Sequence, residues 1–147
     1  MNKHINTINE NMPKDVDYIL NILNKNKNEA FVVGGCVRDV LLNKEPKDWD
    51  ITTNILPEDI ISIFEEEGYK VLPTGIDHGT VTVMINNEGY EITTYRIDGE
   101  YTDSRRPDEV IFTSSIEDDL SRRDFTMNSI AYNKEFGFVD KFGGIND

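Results

Sequence analysis

Residues 30–54 read AFVVGGCVRDVLLNKEPKDWDITTN, and the order of residue types in this stretch decides the fold. AFVV (30–33) is a short, β-branched apolar run of the kind found in a buried strand, and Gly34-Gly35 ends it. CVRDVLLN then has the pattern of a short helix, and a second β-branched strand runs from Asp48 to Thr53. Strand, glycine turn, helix and strand thus follow one another without a linker. In an extended strand side chains alternate faces, so Asp48 and Asp50 point the same way, about 6.5–7 Å apart along the chain. Two carboxylates so placed repel each other unless they are solvated or have cations in front of them.

Working outward, Val16, Ile19, Leu20 and Leu23 recur at helical spacing behind Pro13, which predicts a helix over 13–26. Pro57 starts a second helix through Glu67 with Ile60, Ile61 and Phe64 inward, and Gly68 ends it. TVTVMI (80–85) and YEITTYR (90–96) are β-rich runs joined by Asn86-Asn87-Glu88-Gly89, a hairpin signature. From Ile97 to Ser115 the text is polar, mixed in charge and weakly periodic, which predicts a loop with a short strand at Val110 to Phe112. Ser115 is placed to cap a helix with Asp118 three residues on, followed by helical spacing of Leu120, Phe125 and Ile130 with room for a break midway. There is no internal repeat. The closing FVDKFGGIND looks like the start of something rather than a tail. The expected class is α/β (α+β), a mixed β-sheet with helices packed on it.

At 147 residues, 37% hydrophobic and 29% charged, the chain is one soluble domain's worth. No stretch has the apolar length of a signal peptide or a membrane span, so no membrane partner is expected and the cytoplasm is the expected compartment. One cysteine, Cys36, excludes an intrachain disulfide and a multi-cysteine zinc site, and two histidines are too few for a histidine cluster. Any metal is therefore expected to be held by oxygen. Fifteen basic against 28 acidic residues give a net charge of −13, which argues against extensive phosphate-backbone contact by this surface alone. Runs such as Glu65-Glu66-Glu67 are explained by a solvated face.

Gly34-Gly35 at a strand end and helix start lets a ligand approach the backbone, with helix N–H groups facing an anion and Arg38 adding a charged fork one turn on. Alone, a Gly-Gly turn is usually just a turn, and the missing Lys-Ser/Thr pair excludes the usual P-loop. Followed so closely by Asp48 and Asp50, however, it reads as a phosphate cradle beside a divalent-metal clamp, which is what phosphoryl transfer requires. Glu91 on YEITTYR is the candidate third carboxylate, with a solvent-facing or cross-strand glutamate as the alternative. Arg122, Arg123, Asp124 and Asn128 cluster farther on. On a helix Asp124 and Asn128 share a face and could grip ribose hydroxyls while an arginine meets phosphate, or they could line an ordinary salt-bridged surface.

GGCVRDVLLNKEPKDWDITTN, HGTVTVMI, YEITTYR, YTDSRRPDEV and DLSRRDFTMNSIAYN, in this order, resemble the catalytic head of the bacterial class II tRNA nucleotidyltransferases, the CCA-adding enzymes, and of their relatives the bacterial poly(A) polymerases. Both belong to the polymerase-β-like nucleotidyltransferase superfamily. The resemblance spans residues 13–147, leaving 1–12 as an N-terminal extension. It implies metal-dependent nucleotidyl transfer from CTP and ATP to the 3′-hydroxyl of tRNA. By the same resemblance Asp48 and Asp50 hold magnesium (Mg2+), and Gly34, Gly35 and Arg38 lie at the triphosphate. Arg122, Arg123, Asp124 and Asn128 meet phosphate and ribose, and Glu91 falls on the strand that offers a third carboxylate. Arg96 to Pro107 match the family's flexible loop, associated with adjusting the site between CTP and ATP.

The family chooses its base with a Glu-Asp-x-x-Arg-type motif on a helical neck and holds tRNA with body and tail domains, and nothing like these follows in this sequence. The chain is therefore expected to be an isolated head that reaches tRNA through domains outside it. Poly(A) synthesis and partial (CC- or A-) addition are alternatives that the head does not separate. A stand-alone minimal nucleotidyltransferase would share the Asp-x-Asp pair but not Arg-Arg-Asp-Phe-Thr-x-Asn. A non-catalytic nucleotide-binding module is disfavoured because Gly35, Asp48, Asp50 and Asp124 are all present.

Overall fold

A computed structural model of the chain describes residues 2–25, 28–42, 44, 49–98, 110–121 and 130–140. In chain order the elements are α1 (Asn2–Asn11), α2 (Lys14–Leu23), β1 (Ala30–Val33), α3 (Gly35–Leu41), β2 (Asp50–Thr53), α4 (Pro57–Glu66) and β3 (Lys70–Gly75). After a single 3-10 turn at Ile76–His78 come β4 (Thr80–Ile85), β5 (Glu88–Thr94), β6 (Arg96–Asp98), β7 (Val110–Phe112), α5 (Ile116–Ser121), β8 (Ile130–Asn133) and β9 (Gly137–Asp140). Seven strands make one sheet in the order β3-β4-β5-β2-β1-β8-β9, and β6 pairs with β7 in a separate ribbon. The sheet is mixed, as expected: β2 runs parallel to β5, and the other described pairings are antiparallel.

Side-chain alternation gives this sheet two unlike faces. Val32, Ile51, Val81, Val83, Ile92, Ile130 and Tyr132 point to one side and form the main core with Ile19 and Leu23 of α2, Val37 and Val40 of α3, and Ile60 and Phe64 of α4. Each large apolar side chain so buried contributes about 1.5–3 kcal/mol. On the opposite side Phe31, Val33 and Ala131 meet Tyr95 and Leu120 of α5 in a second, smaller core. That opposite face also carries Asp50, Thr52, Thr82, Glu91 and Thr93.

Local chemistry explains most element ends. Pro13, with φ −60° and ψ 148°, precedes the first turn of α2 rather than opening it. The helix stops at Leu23, short of the expected 26, because Asn24 closes it: the Asn24 amide donates to the Leu20 carbonyl at 2.7 Å, and its oxygen accepts from the Ala30 N–H at 3.0 Å. α4 starts at Pro57 as read and is followed by Gly68 at φ +90°. The β4–β5 connection is tighter than the four residues expected. Asn86 and Asn87 alone make the turn, with φ 51° and 67°, the doubly left-handed geometry of a type I′ hairpin, and Glu88 and Gly89 already belong to β5.

One expectation is corrected. Ile130 does not continue a helix from Leu120, since α5 ends at Ser121 and Ile130–Asn133 is a strand buried on both sides. Four consecutive buried residues suit a sheet interior, not a helical stripe. β3 (KVLPTG) contains Pro73 and Gly75, residues that interrupt a strand pattern. It lies at the sheet edge, where a missing N–H is tolerated. Residues 2–11 form α1, and Ile8 and Met12 join the main core while the Tyr132 hydroxyl donates to Asn9 Oδ1 at 2.7 Å. The expected Ser115 cap is present, its hydroxyl accepting the Asp118 N–H at 3.3 Å.

Candidate active site

Trp49 is buried in the main core, so alternation turns Asp50 to the other, polar face, where it is exposed. That is why an aromatic stands before Asp50 at the strand start: Trp49 anchors the strand on one side and frees the Asp50 carboxylate on the other. Asp48 itself lies outside the described residues.

In the β1–β2 ladder Val33 stands opposite Asp50, so the glycine turn that follows Val33 is beside the carboxylate. Gly34 has φ +81° and ψ −135°, a conformation that a side chain strongly disfavours, and it redirects the chain from β1 into α3. A Cβ on Gly35 would lie 3.4 Å from Arg38 Nη2, so the guanidinium lies over the start of its own helix. The Arg38 side chain is 42% exposed and reaches Asp39 Oδ1 at 3.4 Å. Gly34, Gly35, Arg38 and Asp50 therefore share one end of the sheet.

Cys36 belongs to the same corner. Its thiol donates to the Val33 carbonyl at 3.5 Å, and burial, then the Asp50 charge, pushes its pKa up to about 12. It is a protonated packing residue, not a nucleophile. Sequence reading saw Cys36 only as a lone cysteine, and no local pattern announced its neighbour.

β5 delivers Glu91. Ile51 pairs with Ile92 in the parallel β2–β5 ladder, so continuing the register by one residue sets Glu91 level with Asp50, on the same face and one strand spacing of about 4.8 Å away. Both side chains are exposed. Between and beside them the face is floored with threonine. Thr52 Oγ1 donates to the Thr93 carbonyl at 3.1 Å, the Thr80 and Thr93 hydroxyls share a hydrogen bond of 2.8 Å, and Thr74 and Thr82 share one of 2.7 Å. The signal for this floor is Thr80 and Thr82 at period two in TVT, with Thr52 two residues after Asp50 and Thr93 two after Glu91.

Arg122, Arg123, Asp124 and Asn128 lie outside the described residues. The chain re-enters at Ile130, and because Val33 pairs with Ala131, the first residue of β8 comes level with Gly34. Of the flexible-loop stretch Arg96 to Pro107, only Arg96–Asp98 is described, as β6. Among the described residues no group of three or more His, Cys, Asp or Glu side chains is gathered as a metal site. Asp50 and Glu91 supply two oxygen donors at one place, which is the donor chemistry that a hard divalent cation takes. A cleft of about 420 Å³ lined by Asn28, Asn54, Asp59 and Glu66 sits at the other end of β2 from Asp50 and contains none of these groups. No described helix is long and apolar enough to cross a membrane.

A mixed sheet with helices on its apolar face, an Asp-bearing strand beside a Gly-Gly turn and a polar opposite face are the features of a nucleotidyltransferase head. The comparisons agree on this class and narrow it. A family model described as the poly A polymerase head domain matches residues 30–147, and the chain belongs to that family. It is 48% identical over 129 residues to a CCA-adding enzyme of Oceanobacillus iheyensis, covering 88% of this chain and 31% of that protein. With a CCA-adding enzyme of Listeria monocytogenes it shares 53% identity over 116 residues, 79% of this chain and 28% of the relative. The chain thus spans about a third of the length of these relatives. Among solved structures it matches the Bacillus stearothermophilus CCA-adding enzyme in complex with CTP at a TM-score of 0.78 and 39% identity, over 92% of this chain and 32% of that one. A tRNA nucleotidyltransferase complexed with a primer tRNA and an incoming ATP analogue matches at 0.65 and 30% identity, over 88% and 36%.

Proposed function

We propose that the chain is the catalytic head of an enzyme that transfers a nucleotidyl group from CTP or ATP to the 3′-hydroxyl of tRNA, adding or repairing its CCA end. The observation that carries this reading is the register of β1 on β2, with Val33 opposite Asp50, which puts a glycine turn, an arginine and a carboxylate at one sheet end. The names of the relatives and the likeness to a CTP complex at 39% identity support it. In the transfer the 3′-oxygen attacks the α-phosphorus, a phosphorus–oxygen bond forms, the bond to pyrophosphate breaks and the hydroxyl proton is lost.

Each residue has a part in that reading. Gly34 and Gly35 leave backbone open to the triphosphate, and Arg38 presents a planar donor fork to it. Asp48, Asp50 and Glu91 offer hard oxygen donors for Mg2+, which when bound offsets their repulsion and polarises the phosphoryl oxygens. Arg122 and Arg123 serve phosphate, and Asp124 and Asn128 serve ribose hydroxyls. A net charge of −13 repels a polyanion, so tRNA is held by parts of the polypeptide other than this head.

Calorimetry of the chain with magnesium and CTP or ATP tests the reading. Weak, magnesium-dependent binding of either nucleotide is expected, and its absence would overturn the proposal. In the polypeptide that carries this head, tRNA lacking its 3′ end should gain C, C and A, whereas a run of A alone would favour poly(A) synthesis.

A further inference from the structure

The β6–β7 ribbon leaves the main sheet at Tyr95, and its root is held from several sides. The backbone N–H of Arg96 donates to Asp119 Oδ1 at 3.1 Å, and Arg96 Nη1 donates to the His78 carbonyl at 2.8 Å. On the other strand of the same root the Thr113 N–H donates to the Tyr95 carbonyl at 3.0 Å. The Phe112 ring occupies the space beside Gly79, its Cε1 only 2.6 Å from where a Cβ there would stand.

Asp119 differs from every other acid on the chain that can be compared with it. Among the described residues it is the only acidic side chain that is buried, at 0% exposure. Burying a carboxylate is costly unless it is bonded, and here it spends one oxygen on the backbone of a neighbouring strand rather than on its own helix. From Asp119 the packing is continuous toward the catalytic end. Leu120, the next residue, shares the second core with Tyr95 and Val33, and Val33 is the ladder partner of Asp50 and the residue before the Gly34 turn.

We propose that Asp119 is a positioning residue that locks the β6–β7 ribbon to α5, so that ordering of the ribbon and binding of the magnesium nucleotide at the Asp50 end are coupled. This rests on the functional reading above. By linkage, nucleotide must then stabilise the ribbon as much as the ribbon stabilises nucleotide binding.

Hydrogen exchange at the amides of 96–98 and 110–112, with and without magnesium CTP, together with calorimetry, tests the coupling. In the wild-type chain, nucleotide should slow exchange of the ribbon. Asp119→Asn keeps an acceptor for the Arg96 N–H and should behave alike. In Asp119→Ala the ribbon should exchange about tenfold faster, as expected for loss of one charged hydrogen bond, and nucleotide should no longer slow it, while β1 and β2 stay protected. Ligand-induced slowing that survives in Asp119→Ala overturns the inference. If that variant loses protection in β1 and β2, Phe112→Ala decides instead, because it loosens the root's other strand, at a half-exposed side chain packed beside Gly79. Weaker nucleotide affinity with an intact core supports coupling, and unchanged affinity overturns it. A wild-type chain that binds no nucleotide removes the functional reading and this inference together, whereas binding without ribbon protection removes the inference alone.

Discussion

Val33 and Asp50 stand opposite each other in the antiparallel ladder of β1 and β2, which makes the last apolar residue before the glycine turn the neighbour of an exposed carboxylate. Because Asp50 is exposed and at a strand start, the core does not depend on it. Asp50→Ala should therefore leave the urea midpoint nearly unchanged while lowering nucleotidyl transfer about a thousandfold or more, the scale of losing several kcal/mol of metal-borne stabilisation. Near-normal turnover would remove Asp50 from the site.

The two glycines of the turn should respond differently to alanine. Gly34 sits at φ +81° and ψ −135°, so Gly34→Ala is expected to destabilise the fold by about 1–3 kcal/mol. Gly35 is helical, and its added methyl meets only the end of Arg38 at 3.4 Å. Gly35→Ala should be nearly neutral in denaturation yet weaken triphosphate binding by shifting the guanidinium. Equal stability losses at the two positions would show that the turn strain is misplaced.

Much of this corner was legible because its elements are local in sequence: AFVV, Gly34-Gly35 and DITT each state their own conformation. What was not legible depended on distant partners. Ile130 and Leu120 fit one helical stripe on paper, but they belong to different cores on opposite faces of the sheet. Glu91 could be placed near Asp50 only by a register between strands some forty positions apart, and nothing local fixes that register. The burial of Ile8 and Met12 in the main core is likewise decided by the helices and sheet they meet, not by anything local to the polar N-terminal stretch.

Cys36 gives a pH signature. Its thiol is raised from 9.0 to about 12, mainly by burial and then by the Asp50 charge. The thiolate is thus favoured in the unfolded chain, so this contribution to stability is full below pH 9 and is lost as pH rises from 9 toward 12. In that window the group should lower the folding constant by about tenfold per pH unit. Cys36→Ala should flatten the alkaline stability profile relative to wild type, and at pH 8 a thiol reagent should label Cys36 only as fast as the chain unfolds. Rapid labelling of the native protein would contradict the burial.

The hairpin turn offers a stabilising change. Asn87 holds φ 67° at the second position of a type I′ turn, where glycine is preferred. Asn87→Gly should raise stability by some tenths of a kcal/mol, at most about 1, and Asn87→Val should lower it, since a β-branched residue resists that region. Thermal melts of the two variants compare them directly, and a destabilised Asn87→Gly would rule out this turn type.

Glu91 is the residue whose role depends most on the fold. Its backbone pairs with Thr82 on one side, and on the other the β2–β5 register brings it level with Asp50, so two exposed carboxylates face the same solvent on adjacent strands. Without a cation this arrangement is mildly repulsive, and Glu91→Gln should leave stability unchanged or raise it by a few tenths of a kcal/mol. With a cation the sign reverses: a third oxygen donor lowers the magnesium concentration needed, so Glu91→Gln should shift the magnesium dependence of nucleotide binding upward without altering affinity at saturating metal. A magnesium titration at fixed CTP separates the cases. An unchanged midpoint would leave Glu91 as a strand residue that merely faces the site.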